Sequence, residues 1–351
     1  MKCLYLTAAK IGLETGDGVV TRHEQDALST IGNVTVIEEK DIHPVIYKQP
    51  NTPFLFDYFA ACHIGEETYD LCHIYGGPYP LSVEKLKHMG CTVSVTIPAH
   101  DRKTSIEEHE KYFGEYPFHH VKDDYLWSLH TRYMNLADSI VCPSTRSKRI
   151  LEEEGVETPI TVIPHGTEIP PVIQKPLDAF TVGYLGVTGV DKGLIYLFKA
   201  WSELDYDDAE LVLAGAGTEH LAPLIRRVAE RGKYRLLGRV EDITSFFNNY
   251  CSVYVQPSIN EGFGITALEA MAHGCPVIVS TGAGVSDCVE NSKNGLTFKA
   301  GSVSHLVDCI EWMKTHPTKI RYMGVCARET AKEYSWDKIR SRYVEYFNRL
   351  V

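Results

Sequence analysis

The chain has 351 residues, 44% hydrophobic and 23% charged, with a formal net charge of −11; such a composition is that of an ordinary folded protein, and the length exceeds what one core usually holds, so two domains are expected. The charge is uneven, with 25 Asp and Glu against 15 Lys and Arg in residues 1–170 and 21 against 20 in residues 171–351. Nucleic acid and anionic membrane surfaces recruit basic faces, which excludes both as expected partners of the acidic first half.

In chain order, "KCLYLTAA" reads as a first buried strand, its apolar stretch too short for a secretory signal. A glycine-rich segment, "GLETGDGVV", follows. The runs "VTVIEE", "DLCHIYG", "TVSVTIP", "SIVCPS" and "ITVIPHG" then alternate with polar or amphipathic stretches of helix length. The proline-rich "EIPPVIQKPLDAF" has the texture of a linker. After it the alternation restarts with "FTVGYLG", "AELVLAGAG", "YRLLGRV", "SVYVQPS" and "PVIVST". Two successive βα series predict an α/β protein of two doubly wound, Rossmann-like domains with parallel sheets, residues 1–170 and 171–336, and a tail, 337–351, that crosses back to complete the first. Ligands of such sheets sit beyond the carboxyl ends of the strands, which puts the expected site in the cleft between the domains.

No apolar run is long enough for a transmembrane helix. The ten cysteines contain no C-x-x-C pair and read as reduced core residues of a cytoplasmic protein, not as a disulfide or zinc framework. His119 and His120 are adjacent and cannot readily face one metal ion. The aromatic run Tyr112, Phe113, Tyr116, Phe118, Tyr125 and Trp127 fits a core, with a binding platform as the functional alternative.

The stretch "SINEGFGITALEAMAHGCPVIVS" carries the chemistry. "SVYVQPS" runs as a strand into a loop, "INEGFG", and "ITALEAMAHG" is a helix ended by Gly274, with Pro276 just beyond. Amides near Phe263, Gly264, Ile265 and Thr266 then lie at a helix N-terminus, where unsatisfied N–H groups and the dipole attract an anion. Gly262 and Gly264 let the backbone approach it. Glu261 precedes that site and Glu269 lies about one turn inside the helix, so two carboxylates could flank a bound phosphate and accept vicinal hydroxyls.

The segment "INEGFGITALEAMAHGCPVIVS" closely resembles the E-x7-E motif of the retaining glycosyltransferases of family 4, which have the GT-B fold. The segments "ADSIVCPS", "TVIPHG", "GYLGVTGVDKG", "LVLAGAG", "LLGRV" and "YSWDKI" resemble further landmarks of that family in the family's order. The resemblance implies a retaining transferase moving a sugar from a nucleotide sugar to a glycan or small-molecule hydroxyl, with no cofactor. It assigns Glu261 to the donor sugar, Glu269 to the ribose, Lys192 to the diphosphate and His100 in "TIPAHD" to the donor sugar. It puts Gly16 and Gly18 near the phosphates, and the backbone around Arg239 and Val240 at the base.

One departure stands out. Where the family reads Gly-Arg before the lysine, this chain has Gly186 and Val187, so one positive charge expected at the diphosphate is missing. Arg146 is a candidate replacement. The D-x-D spacing occurs once, in "DYDD" at 205–208, which reads as a solvated turn, so a metal-held diphosphate is not expected. Two alternatives stay open: a catalytically silent nucleotide-sugar-binding protein, and a GT-B nucleotide-sugar epimerase, which accounts for the fold but not for E-x7-E.

Overall fold

The computed structural model describes residues 1–8, 16–38, 41, 52–77, 79–114, 124–171, 179–217, 225, 228 and 231–351. The segment 9–15, His119, His120, Tyr116, Phe118 and the linker residues 172–178 lie outside the described residues, as do the side chains of Tyr125 and Trp127. The chain divides into two compact units. One comprises Met1–Ala99, Pro117–His165 and Trp336–Val351, the other His100–Tyr116 and Gly166–Ser335.

The first unit is built on a six-stranded parallel sheet. Its strands are β1 (Lys2–Thr7), β2 (Asn33–Ile37), β3 (Leu71–Tyr75), β4 (Thr92–Thr96), β5 (Ser139–Cys142) and β6 (Ile160–Val162), in the order β2-β1-β3-β4-β5-β6. Strands β3 and β5 are buried at every position, as parallel strands covered on both faces must be. Helices α1 (Gly16–Ser29), α2 (Thr52–Ile64), α3 (Pro80–His88), α5 (Asp124–Leu136) and α6 (Thr145–Glu153) connect the strands; α4 (Arg102–Phe113) follows β4 but belongs with the second unit. A core that includes Leu4, Ile74, Val83, Val95 and Ile140 fills the unit. The helix at the end of the chain, Trp336–Asn348, lies in this unit and buries Ile339, Tyr343 and Phe347.

The second unit holds another six-stranded parallel sheet: β7 (Phe180–Leu185), β8 (Ala209–Ala214), β9 (Tyr234–Leu236), β10 (Val253–Gln256), β11 (Val277–Ser280) and β12 (Gly295–Phe298), in the order β12-β11-β10-β7-β8-β9. Numbered from β7, that order is the 3-2-1-4-5-6 of dinucleotide-binding folds, and the direction of winding reverses between β7 and β10. Helices α7 (Leu194–Leu204), α8 (Ile243–Tyr250), α9 (Ile265–Ala272), α10 (Val303–Thr315) and α11 (Pro317–Lys332) flank the sheet; the C-terminal helix of the first unit is α12. Two cores lie on its faces, one around Leu197, Trp201, Leu211 and Met313, the other around Phe247, Tyr254, Leu268 and Val279. Side-chain oxygens cap three helix starts where polar residues precede them: Asp101 accepts from the Thr104 amide, Asp242 from Ser245 and Ser302 from His305.

Candidate functional site

The site grows from the point where the winding of the second sheet reverses. After β7 the chain passes Gly186 and Val187 and turns through residues 189–193 into α7. Gly193 has φ of 68°, and a Cβ there would lie 1.9 Å from the Pro257 carbonyl oxygen, so only glycine lets this turn press against the end of β10. The contact is sealed by the Ile259 amide, which donates to the Asp191 carbonyl at 2.7 Å. This packing brings Lys192 to Glu261, and Lys192 Nζ donates to Glu261 Oε2.

The Glu261 loop is pinned from its other side. Its amide donates to the Gly282 carbonyl at 2.9 Å, and its carbonyl accepts from the Gly284 amide at 3.1 Å. A Cβ at Gly282 would meet the Ile259 carbonyl oxygen at 2.3 Å, so close backbone approach again requires glycine. The Glu261 side chain is 15% exposed and that of Lys192 31%, which leaves the pair reachable from solvent but fixed.

Gly264, with φ of 98°, starts α9. The first amides of a helix have no helical carbonyl to donate to, so the turn at Gly264, Ile265 and Thr266 has donors to offer an anion. Phe263 is 3% exposed and serves as a core anchor; its carbonyl accepts from Val285 at 2.7 Å. The Thr266 hydroxyl is taken up by buried neighbours, at 2.9 Å from Tyr254 Oη and 3.1 Å from Gln256 Oε1. Only the backbone of Thr266 is therefore open to a ligand.

Glu269 is the fifth residue of α9, partly buried, and among the described residues its carboxylate has no hydrogen-bond partner. Burial pushes it up to about 7. Lys192–Glu261 is a satisfied pair; Glu269 is a carboxylate held partly out of water with nothing yet to accept from.

Val187 is 64% exposed, and its carbonyl accepts from the Tyr184 hydroxyl at 3.1 Å. The valine in the arginine position is thus a surface residue and fills no core space. Arg146 is partly buried in the first turn of α6, in the other unit. Gly16 and Gly18 are the first and third residues of α1 in that same unit, so both belong to a helical turn, and the loop before them lies outside the described residues. Arg239 is exposed after β9, Val240 packs partly against the core, and Gly238 before them accepts from the Gly215 amide at 2.7 Å.

His100 is exposed at the start of the segment 100–116, which falls within the expected first domain, residues 1–170, yet packs with the second unit. Two residues that carried no sequence signal stand beside the predicted ones. Asn260 is 1% exposed; its Oδ1 accepts from the Asp101 amide at 3.0 Å, and its Nδ2 donates to the Asp101 carbonyl and to Ser105 Oγ, each at 2.7 Å. Asp191, just before Lys192, has its carboxyl raised by burial, an effect opposed by a hydrogen bond from Ser105 and by His100, Lys192 and His109. Its buried Oδ1 has no hydrogen-bond partner among the described residues. Among the described residues no three His, Cys, Asp or Glu side chains gather in a way that could hold a metal ion, and no helix is long and apolar enough to cross a membrane.

Comparisons with known proteins bear on the family and the fold. Residues 18–169 match the family model described as Glycosyltransferase Family 4, and residues 166–330 match that described as Glycosyl transferases group 1. An uncharacterized glycosyltransferase of Haemophilus influenzae is 27% identical over 202 residues, covering 56% of this chain and 57% of that protein. The chain spans about half the length of the curated relatives it matches. Among solved structures, sucrose-phosphate synthase of Thermosynechococcus elongatus superposes with a TM-score of 0.78 at 18% identity, covering 100% of this chain and 99% of that one. HepE of Anabaena, solved in complex with UDP-glucose, superposes with a TM-score of 0.73 at 17% identity over 99% and 100% of the two chains. With both halves of the sequence matched and two doubly wound parallel sheets in place, the chain belongs to the group 1, family 4 glycosyltransferases of GT-B fold.

Proposed function

We propose that this protein is a retaining glycosyltransferase that moves a sugar from a nucleotide sugar to an acceptor hydroxyl without a divalent metal. The observation that carries the reading is the pairing of Lys192 with Glu261 at the reversal point of the second sheet, beside the N-terminus of α9. Departure of a nucleoside diphosphate builds negative charge on the leaving group. A lysine and a helix N-terminus are the fixed positive groups that stabilise it, and they do the work a metal would otherwise do. When the donor arrives, its diphosphate takes over Lys192, and Glu261 is released to accept from the hydroxyls of the sugar. Glu269 takes the ribose hydroxyls, which replace its missing partners. The backbone at Arg239 and Val240 meets the base, and His100 the donor sugar. No side chain in this arrangement is assigned as a nucleophile on the far face of the sugar, which favours acceptor attack from the side of the leaving group. HepE binds UDP-glucose, so a uridine nucleotide sugar is the first donor to try, with a glycan or small hydroxyl compound as acceptor. None of the ten cysteines is in a disulfide, in keeping with work in the reducing cytoplasm.

Val187 favours one other reading, a nucleotide-sugar-binding protein that has lost turnover, because one of the positive charges that would stabilise the departing diphosphate is missing. The experiment that decides is release of nucleoside diphosphate across a panel of UDP-, GDP- and ADP-sugars, with and without chelator. Transfer that survives chelation within a few fold is expected, with Glu261→Ala lowering turnover and Glu269→Ala weakening nucleotide binding. Binding without release from any donor would leave the silent reading standing, and rescue of a chelated enzyme by manganese would end the metal-free one.

A further inference from the structure

Three residues named for the site are each chain neighbours of one buried polar cluster. Lys192 follows Asp191, Glu261 follows Asn260, and His100 precedes Asp101. Asn260 is the hub of the cluster. Its carboxamide pairs with the Asp101 backbone as one strand residue pairs with another, accepting from the N–H at 3.0 Å and donating to the C=O at 2.7 Å. The second amide hydrogen goes to Ser105 Oγ at 2.7 Å. The Asn260 amide also donates to the Asp191 carbonyl at 3.3 Å. Asp101 is itself the cap of α4, accepting from the Thr104 amide at 3.1 Å and from Thr104 Oγ1 at 2.6 Å. The far end of α4 is fastened to the same unit, with the Tyr196 hydroxyl donating to Glu108 Oε2 at 2.7 Å and accepting from Lys111 Nζ at 2.5 Å.

We propose that Asn260 is a positioning residue which, through the Asp101 backbone, sets where His100 stands relative to Glu261. A carboxamide fits this task because it supplies one acceptor and two donors in a fixed plane, matched here to a backbone N–H, a backbone C=O and a hydroxyl. A carboxylate of the same shape would face the Asp101 carbonyl with a lone pair and break the pairing. The inference rests on the transferase reading above, since it is the donor sugar that His100 and Glu261 are taken to share.

The test compares the parent, Asn260→Ala, His100→Ala and the double variant. Single-turnover transfer from a UDP-sugar should fall about 10- to 100-fold in Asn260→Ala, the range expected when a reacting group is misplaced by about 1 Å. UDP affinity should stay within about threefold, because Asn260 is not assigned to the nucleotide. The double variant should be no slower than His100→Ala, since the two losses act through one residue. A general structural role would instead slow the His100→Ala background as much as it slows the parent. The ring resonances of His100, identified by their loss in His100→Ala, should shift in Asn260→Ala. Should Asn260→Ala not fold, the isosteric Asn260→Asp carries the same comparisons. An unchanged rate, additive losses, or unmoved His100 resonances would each overturn the proposal. A parent that transfers from no donor would fell the transferase reading alone, and the resonance shift would still decide whether Asn260 positions His100.

Discussion

The two units contain buried carboxylates in opposite circumstances. In the first unit Glu24 is wholly buried, and every oxygen is engaged: Oε1 accepts from Thr96 Oγ1 at 2.7 Å and the Tyr343 hydroxyl at 2.8 Å, while Oε2 accepts from the Tyr5 hydroxyl at 2.8 Å and lies 3.4 Å from His73 Nε2. The network continues from His73 Nδ1 to Ser94 Oγ at 3.0 Å and on to the Tyr346 hydroxyl at 2.6 Å. It thereby ties α1, the sheet and α12 together across more than 300 residues of sequence. Burial alone would raise the Glu24 carboxyl, yet His73 and the three hydroxyl donors more than offset it, and the carboxyl lies below its usual value. In the second unit Glu269 is partly buried, has no hydrogen-bond partner among the described residues and is raised to about 7. Asp191 Oδ1 is buried and unmatched among the described residues. A polar cluster that satisfies itself is a device for holding a fold, whereas one with unmet acceptors is shaped for something that arrives later.

Breaking the satisfied cluster should have the largest effect. Glu24→Ala strands four donors in the core and is expected to cost about 3–5 kcal/mol of folding stability, measured by urea denaturation. Glu24→Gln, which keeps the shape, should cost less. An equal loss for both would show that packing, not the hydrogen bonds, holds α12 in place. The Glu24 contribution is present above the ordinary glutamate range and is lost as pH falls through its lowered folded value.

The next effect is on the reaction. Lys192→Ala should leave the fold intact, since the side chain is partly exposed, and remove about 2.7–4 kcal/mol of transition-state stabilisation, read as kcat/KM against the parent. With Val187 in the arginine position, no second cation is assigned to compensate. If this variant binds nucleoside diphosphate and reacts like the parent, the diphosphate is held elsewhere, and Arg146→Ala becomes the informative variant.

Glu269 supplies a pH test whose sign opposes that of Glu24. A carboxyl raised from 4.5 to about 7 binds its proton more tightly in the folded chain. Its contribution is therefore fully present below pH 4.5 and is lost as pH rises through about 7. Melting temperature of the ligand-free protein should show a falling component between pH 5 and pH 8 that Glu269→Gln removes. At pH 8 the glutamine variant should be the more stable by about 1–3 kcal/mol. Saturating UDP should narrow that gap, because ribose hydroxyls favour the ionised glutamate.

The smallest expected change in stability is at Val187. It is exposed, so Val187→Arg should alter folding stability by less than about 0.5 kcal/mol. Its effect belongs to the ligand: tighter nucleoside diphosphate binding or faster single-turnover transfer, measured beside the parent. A stability loss of several kcal/mol would mean that an arginine cannot be held there and that the valine is structural.

The sequence by itself determines most of the architecture, because burial on both faces of a parallel sheet leaves β-branched and apolar runs that need no partner to be recognised. The strands from β2 to β11 coincide with the runs read from the sequence, although the edge strand β9 is exposed at every position. Strand β12, "GLTF", does not stand out, since it is four residues long and begins with glycine, and it is a strand only because β11 pairs with it from Val277 to Ser280. Glu261 and Lys192 are readable from their motifs; what the motifs do not say is that they pair with each other. That follows from Gly193 letting one loop press on another. Glu24, Asp191, Ser105 and Asn260 look like ordinary polar residues beside helices and loops. Their roles depend on partners as far away as the 159 residues between Asp101 and Asn260 or the 319 between Glu24 and Tyr343. Local pattern reports which face of an element is buried. Which polar atoms meet inside is decided only when distant segments are packed, because a hydrogen bond is set by distance and direction in space, and neither is encoded in the spacing of residues along the chain.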